Sequence, residues 1–317
     1  MRHYDFTVGS KTFSSDNNPN ALNVELDVTV QDADTFVPAQ VTIWGPAQED
    51  ISQATNLMNQ PFTLSAGMQT PGLPLATAQA PEAGTLIKGY VYASWGNWVG
   101  TDMTLNFTVM PGDAPNPPPQ PNAPNPPPKN IVLNWTKGMQ LGQALQQTLQ
   151  TAYPGQAANI NISSQLVAPQ DTVHYCGTLR ELNDFLRPIS HQLMVGQQNY
   201  PGVGLVMQQG NIDVHDGTAP PSTKQIQFID LVGQPTWIAL NTISIKTVMR
   251  GDLKVGDQIT LPPTPVITTA DAQSGVNSKL TFQGTFTISS LRHVGNFRQP
   301  SGDAWVTIIE ALLNQSS

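Results

Sequence analysis

The nine residues at 22–30 read LNVELDVTV, with apolar and polar side chains in strict alternation. Because successive side chains of a β-strand point to opposite faces of a sheet, this period of two predicts a strand with one buried and one solvated face. The apolar face of such a strand needs a second layer of structure to cover it. The stretch therefore favours a fold built mainly from antiparallel β-sheet.

Strand patterns recur on both sides of this stretch. Residues 4–13 alternate around Gly9-Ser10, which is typical of a hairpin turn. Residues 94–98 read SWGNW and predict a turn with exposed aromatic side chains. Further strands are predicted at 41–44, 86–93, 103–110, 131–135, 225–231, 242–249, 282–291 and 304–313, with a hairpin at 253–261, a loop at 275–279 and mixed strand and turn at 202–217.

Three segments show the helical spacing of apolar residues instead. Residues 50–59 predict a short helix with Asp50 as its N-cap. Residues 138–152 carry one apolar stripe opposite a row of glutamines. Residues 178–187 begin with a Thr-x-x-Glu capping box, and this helix is expected to end before Pro188.

A proline-rich segment divides the chain. Residues 113–128 contain nine prolines in sixteen positions, which excludes helix and sheet and predicts an extended polyproline-II spacer. The fold class predicted is mainly β (α+β). The predicted division is an N-terminal β-rich domain at 1–112, the linker at 113–128, a mixed α/β middle domain at 129–224 and a C-terminal β domain at 225–317.

The composition argues against some functional classes and favours others. A formal net charge of −8, with only 11% charged residues, argues against a nucleic-acid-binding protein, which needs clustered Lys and Arg. So few charges are typical of a chain that buries much of its surface in permanent interfaces. The one cysteine, Cys176, fits a reducing cytosol and is expected to be a buried structural thiol. No signal peptide and no membrane-spanning segment are predicted.

No catalytic, cofactor-binding or metal site is predicted from the residues. The five histidines show no metal-ligand spacing, and the chain has neither a nucleophile elbow nor a phosphate-binding loop. His215-Asp216 fits a polar turn better than a catalytic dyad. Asp252 and Asp257 lie in a glycine-rich stretch where Asp is expected for its turn chemistry. We therefore predict that the protein is not an enzyme and binds no cofactor.

Three motifs follow one another in the C-terminal region. Residues 248–262 read VMRGDLKVGDQITLP, which combines a basic-Gly-Asp turn with a Val-Gly-Asp hairpin. Residues 284–295 carry the pattern Phe-x-Ile-x-x-x-x-His-x-Gly, and residues 302–307 end in Trp-Val-Thr. Together these motifs resemble the closing barrel of baseplate hub proteins of contractile and related phage tails. The resemblance covers 225–317 and extends by position to 1–112.

This resemblance implies two tube-like β-barrel domains that flank the mixed α/β middle region. It also implies a homotrimeric ring that joins the hexameric tail tube to the trimeric central spike. The partners it implies are the tail tube protein, the central spike protein, the tape-measure protein and the baseplate wedge proteins. DNA is expected to pass through the lumen without specific binding, and no membrane is involved. The expected location is the virion, in the tail baseplate, after assembly in the host cytoplasm.

Six residues of these motifs are expected to have architectural roles in the C-terminal barrel. Glycines are expected at its turns and large apolar side chains in its core. The turn residues are Gly251, Gly256 and Gly295, and the core residues are Phe286, Ile288 and Trp305.

Trp95 and Trp98 leave alternatives open. Exposed aromatic side chains anchor subunit contacts, and they also stack sugars. A β-sandwich carbohydrate-binding or adhesion module of a phage tail is therefore the alternative function. A third hypothesis, a tail-associated cell-wall hydrolase, needs two carboxylates that face a cleft.

Overall fold

The structure, a computed structural model, describes residues 1–16, 18–32, 37–69, 82–114, 129–196, 200–218, 222–262, 282 and 284–313. All but two residues of the predicted linker at 113–128, and the predicted loop at 275–279, lie outside the described residues.

The described residues form strands and three α-helices. The strands are β1 (Arg2–Val8), β2 (Lys11–Ser14), β3 (Asn23–Gln31), β4 (Ala39–Trp44), β5 (Pro61–Met68), β6 (Gly84–Val99), β7 (Asp102–Pro111), β8 (Ile131–Trp135), β9 (Ala158–Asn161), β10 (Thr172–Cys176), β11 (Gly204–Gln208), β12 (Asn211–His215), β13 (Thr223–Gln225), β14 (Thr236–Ala239), β15 (Thr242–Val248), β16 (Gln258–Thr260), β17 (Thr285–Asn296) and β18 (Trp305–Leu313). The helices are α1 (Gln48–Ser52), α2 (Leu141–Ala152) and α3 (Leu179–Leu193).

Thirteen of these strands join into one large sheet. Its main order is β14-β15-β18-β17-β3-β4-β7-β6-β5-β1-β2, and β16 pairs with both β17 and β13. The N-terminal and C-terminal strands meet where β3 pairs with β17, with Val28 opposite His293. The fold is therefore mainly β, as predicted, and strands from both β-rich regions belong to the same sheet.

Each part of the chain has its own apolar core. Phe6, Phe62 and Phe107 are fully buried in the core that the N-terminal strands cover. Phe286 and Ile309 lie in a second core under the C-terminal strands. A third core lies in the middle region, where α2 and α3 pack on the small sheets β8-β10 and β9-β12-β11. The alternating pattern at 22–30 matches β3, whose apolar side chains face the cores.

Residues 94–98 do not form the predicted turn. They continue β6, which pairs with β7 as far as Val99, and the chain reverses at Gly100 with a φ of +64°. The glycine that indicated a turn, Gly96, has a packing role: a Cβ there would lie 2.4 Å from Cγ2 of Ile51 in α1. A glycine inside a strand often marks such a close approach.

Two helix termini differ from their predictions. Asp50 is not the N-cap of α1, because that position is Ala47, and the Asp50 carboxylate forms an ion pair with Lys11 instead. Helix α3 begins at its predicted cap, Thr178, which accepts a hydrogen bond from the Glu181 amide, but it continues through Pro188 to Leu193. Proline removes one helical hydrogen bond. Packing of the last turn against the middle core outweighs that loss.

The predicted hairpin at 253–261 is also wrong. Leu253 and Val255 are buried in the C-terminal core but belong to a loop, which turns at Gly256 with a φ of +90°. Only residues 258–260 form a strand, β16. Likewise, the segment predicted as a strand at 225–231 forms a 3-10 turn at Phe228–Asp230, because its capping Gln227 and Asp230 bond reciprocally.

Gly295 is not at a turn, as was predicted, but inside β17 opposite Trp305. The indole ring covers it, and a Cβ would lie 2.6 Å from the ring atom Cζ3. Trp305 is buried as predicted, yet it packs in the N-terminal core and donates a hydrogen bond from Nε1 to the Gly67 carbonyl at 3.0 Å. Phe286 and Ile288 do occupy the C-terminal core.

Candidate functional site

The histidines and the cysteine do not gather into one site among the described residues. No cluster of three or more His, Cys, Asp or Glu side chains suited to a metal occurs among the described residues. The histidines contact different partners: His3 contacts Asp16, His174 stacks on Phe185, His191 meets Tyr200, His215 approaches Asp32 and His293 contacts Thr307.

Cys176 and Asp216 are both buried. Desolvation, together with the nearby Glu181 carboxylate, raises the pKa of the Cys176 thiol, which disfavours the reactive thiolate. Asp216 accepts hydrogen bonds from the Ser163 amide at 2.8 Å and the Tyr200 hydroxyl at 3.1 Å, so it fixes local structure. His215 contacts Asp32 at 3.7 Å instead, and the two neighbours do not act as a dyad.

The Arg250-Gly251-Asp252 turn forms a buried charge cluster that sequence reasoning missed. The Arg250 side chain is only 7% exposed and binds Asp252 from Nε at 2.7 Å and Asp230 from Nη1 at 3.0 Å. Glu82 approaches the same guanidinium at 3.8 Å. The amide of Gly251 donates to the Glu82 carbonyl at 2.7 Å. The cluster therefore joins the start of β6 to the C-terminal strands.

This charge cluster holds more carboxylates than cations. Three acids, Glu82, Asp230 and Asp252, surround Arg250 and Lys224. Burial, reinforced by the negative charge of Asp230, raises the pKa of Glu82 to about 7 despite the opposing effect of Arg250. No signal in the sequence linked Glu82 to the motif around Arg250, because the contact depends on the pairing of distant strands.

The pKa of Glu82 predicts a measurable dependence of stability on pH. A carboxyl whose pKa is raised in the folded state stabilises the fold below its unfolded pKa, near 4.5, and this contribution is lost as pH rises toward 7. Glu82→Gln keeps the neutral form at every pH. We expect it to raise the free energy of unfolding at pH 8 by on the order of 2 kcal/mol and to have little effect at pH 4.5.

Denaturant titrations of both proteins across this pH range test the prediction. His293 also responds to pH, since burial lowers its pKa to about 4, but it is present in both proteins and cancels in the difference. A difference that stays constant between pH 4.5 and 8 would contradict the role of Glu82.

A second feature is the solvent-facing side of the large sheet, opposite the cores, which we name the polar face. It extends across β15, β18, β17, β3, β4, β7 and the C-terminal half of β6. In register across these strands, Glu25 lies opposite Thr42, Thr42 opposite Asn106 and Asn106 opposite Trp95. Its polar residues are Thr242, Ser244, Lys246, Glu310, Thr287, Ser290, Arg292, Asn296, Asn23, Glu25, Asp27, Thr29, Gln31, Gln40, Thr42, Asp102, Thr104, Asn106, Thr108 and Asn97. The same side of these strands also carries the apolar residues Val248, Val306, Ile308, Leu312, Val294, Trp44, Ala93, Trp95 and Val99.

Neutral side chains on the polar face bond to one another between strands. The Thr42 hydroxyl donates to Oδ1 of Asn106 at 3.0 Å, and the Thr108 hydroxyl donates to Oε1 of Gln40 at 3.2 Å. Such cross-strand pairs stabilise a sheet and hold its side chains in place. The polar face therefore offers a hydrogen-bonded surface that is largely uncharged.

Both cations of the polar face are paired. Arg292 donates to both carboxylate oxygens of Asp27, at 3.0 and 2.6 Å. Lys246 donates to Asp303 at 3.1 Å. Since a protein holds a polyanion chiefly through Lys and Arg on its phosphates, this face is poorly suited to grip nucleic acid.

Trp95 and Trp98 do not form one platform. They are 43% and 59% exposed, as the sequence indicated. However, side chains three residues apart on a strand point to opposite faces of the sheet. Trp95 lies on the polar face opposite Asn106, and Trp98 lies on the other side opposite Met103. This arrangement is unlike the flat aromatic surface that stacks a sugar ring.

Comparison with solved structures identifies proteins that have a similar fold. No protein-family model and no curated protein sequence matches the chain. Two solved structures superpose over 99% of this chain and 97% of their own, each with a TM-score of 0.55 and 10% identity: a tail protein from Neisseria meningitidis and the 43 kDa tail protein of prophage MuSo2 from Shewanella oneidensis.

A third solved structure is a component of the type VI secretion system of Escherichia coli, described as similar to the T4 bacteriophage tail proteins gp27 and gp5. It has a TM-score of 0.51 and 10% identity, over 95% of this chain and 76% of its own. The resemblance predicted from the C-terminal motifs is thus confirmed at the level of the fold and extends over nearly the whole chain. The chain has the fold of phage tail proteins.

Proposed function

We propose that this chain is a structural subunit of a phage tail hub. Three copies form a ring that joins the hexameric tail tube to the trimeric central spike, and the polar face lines its lumen. In this role the chain contacts the tube, spike, tape-measure and baseplate wedge proteins, and it is located in the tail baseplate of the virion. It acts through the shape and symmetry of the ring, and this role needs no catalytic group or cofactor.

The observation that carries this proposal is the polar face. It crosses strands from both β-rich regions without interruption, and its four carboxylates, Glu25, Asp27, Asp102 and Glu310, outnumber its two paired cations. A passage for DNA has to avoid holding the phosphate backbone, and a weakly acidic, hydrogen-bonded surface does so. The tail-protein fold supports the same role by analogy.

The native mass of the purified chain tests the ring. Three copies of the 34.2 kDa chain have a mass of about 103 kDa, which light scattering after size exclusion distinguishes from a monomer. We expect the larger value at micromolar concentration and above. A 34 kDa species at every concentration would contradict a self-assembling ring.

The passive character of the lumen gives a separate prediction. Replacing Gln31, Thr104 and Thr108 together with lysine adds three cations to the polar face at positions that have no carboxylate directly opposite. We expect the native protein to show no retention of duplex DNA at 50 mM salt and the triple variant to bind it, with an affinity that falls steeply as salt increases. Three lysines on α2, at Gln143, Gln147 and Gln150, give a control of equal charge away from this face. DNA binding by the native protein would contradict a passive lumen.

A further inference from the structure

The middle region contains a long stretch without charged residues. Residues 138–170 contain no Asp, Glu, Lys, Arg or His, although they include both α2 and β9. On the outer side of α2, Gln143, Gln147 and Gln150 are exposed to solvent. A surface helix usually carries charged residues among the polar ones on this side. Depletion of charge is instead a feature of protein interfaces, so this stretch is a candidate contact surface.

Strand β9 forms an open edge of the small sheet β9-β12-β11. It pairs in parallel with β12 and with no other described strand. The Ile212 amide donates to the Ala157 carbonyl at 2.9 Å, and Ile212 lies opposite Ala158. In a parallel ladder with this register, Asn159 turns its amide and carbonyl toward β12, whereas Ala158 and Ile160 turn theirs away. Among the described residues, no hydrogen bond reaches these outward groups.

A groove of about 560 Å³ lies between this edge and α2. Gln143, Gln146 and Gln147 line it from the helix, and Ile160 and Ile162 line it from the edge. A glutamine amide both donates and accepts hydrogen bonds, so these side chains complement a peptide group in either orientation. The isoleucines offer apolar contact to alternate side chains of a bound strand.

We infer that β9 binds an extended, uncharged segment of another protein, which adds to the sheet β9-β12-β11 as a fourth strand. In this mode of recognition, main-chain hydrogen bonds give affinity and contacts to alternate side chains give specificity. The surface goes beyond the proposed ring, because these strands do not belong to the large sheet that carries the polar face.

The chemistry of the groove determines the kind of partner. A helix satisfies its own main-chain groups and cannot pair with the outward groups of Ala158 and Ile160. Nucleic acid needs Lys or Arg, and the groove lining has neither. A charged side chain of the partner would lose water in the groove without gaining an opposite charge. The partner segment is therefore an extended polypeptide without charged residues.

A peptide selection tests this inference. The probe is a library of random nine-residue peptides, selected on the native chain and counter-selected on Ile160→Pro. Proline removes the outward amide of Ile160 and leaves the bonds between Asn159 and β12 in place, and edge strands tolerate such a proline. By fluorescence anisotropy, we expect the enriched peptides to be uncharged at their centre and to bind Ile160→Pro about tenfold more weakly than the native chain. Ile160→Val, which keeps the amide, is the matched control and should bind like the native chain.

A second variant and a second measurement separate binding from a folding defect. Gln143→Lys with Gln147→Lys leaves β9 unchanged and places two charges beside the groove, so it should also weaken peptide binding. In the native chain, a bound peptide should slow hydrogen exchange at the amides of Ala158 and Ile160. Exchange at Asn159, which already bonds to β12, should stay the same.

Three results would overturn the inference. One is a selection that enriches no peptide, and another is a peptide that binds the native chain and Ile160→Pro equally or leaves the Ile160 amide unprotected. The third is a fall in native mass on Ile160→Pro, which would show that copies of this chain pair with each other at β9. The proposed ring does not depend on β9, so a failure of peptide binding would leave it intact.

Discussion

Arg250→Leu is expected to lower the free energy of unfolding by about 3–5 kcal/mol, because it removes the cation from a buried group of carboxylates. Arg250 is 7% exposed, and its guanidinium binds both Asp252 and Asp230. Without it, the Asp230 side chain, which is itself 6% exposed, loses its ion-pair partner. The loss of favourable pairing is then added to the cost of desolvation.

A second arginine pair provides the control for this prediction. Arg292 binds both carboxylate oxygens of Asp27, the same bidentate geometry in which Arg250 binds Asp252. However, the side chains of Arg292 and Asp27 are 52% and 39% exposed. Exposed ion pairs contribute about 0–1 kcal/mol. Urea unfolding of Arg292→Leu should therefore show a small loss. Equal losses in the two variants would mean that burial of the Arg250 cluster has no energetic consequence.

Trp305→Ala is expected to lower the free energy of unfolding by about 3–5 kcal/mol, the usual cost of deleting a large buried aromatic side chain. Trp305 is 2% exposed and starts β18, so its ring carries packing from the C-terminal strands into the N-terminal core. The substitution also leaves the Gly67 carbonyl without its indole donor. Tyr175→Ala, at a 70% exposed residue on β10, is the control and should cost less than about 0.5 kcal/mol.

The fit of Trp305 against Gly295 extends this test. Gly295→Ala places a methyl group against the indole ring, so we expect it to destabilise the native protein and to have a smaller effect in the Trp305→Ala background. Thermal unfolding of the two single variants and the double variant measures this coupling. Additive losses would contradict a direct contact between the two positions.

Local sequence patterns predicted several elements correctly because the alternation, turn and capping signals of those elements come from residues close together in the sequence. The alternation at 22–30 became β3, and Gly9 took the positive φ that its hairpin needs. The capping box at Thr178 also marked the true start of α3. In each case, the residues that carry the signal also make the contact.

Several of the errors share one physical cause, which is contact between distant parts of the chain. Gly96 resembles a turn residue but lies in β6 because Ile51 packs on it, and Gly295 lies in β17 because Trp305 covers it. Pro188 is tolerated inside α3 because of the core beneath that helix. Tertiary packing determines these outcomes, and no pattern within a short window reports it.

The candidate site was predictable only in part. The Arg-Gly-Asp turn was recognised as a motif at 250–252, but its partners Glu82 and Asp230 emerged only from the fold. The polar face was implicit in the alternation of every strand, yet its continuity depends on the pairing of β3 with β17. The division into domains at 1–112, 129–224 and 225–317 remains a prediction.

The most direct test of the central claim is cryo-electron microscopy of the purified chain at a concentration where light scattering shows the assembly. The account predicts a threefold ring with a central opening, in which the polar face lines the opening. A ring whose polar face lies on the outside, or particles of a single copy under all conditions, would contradict it.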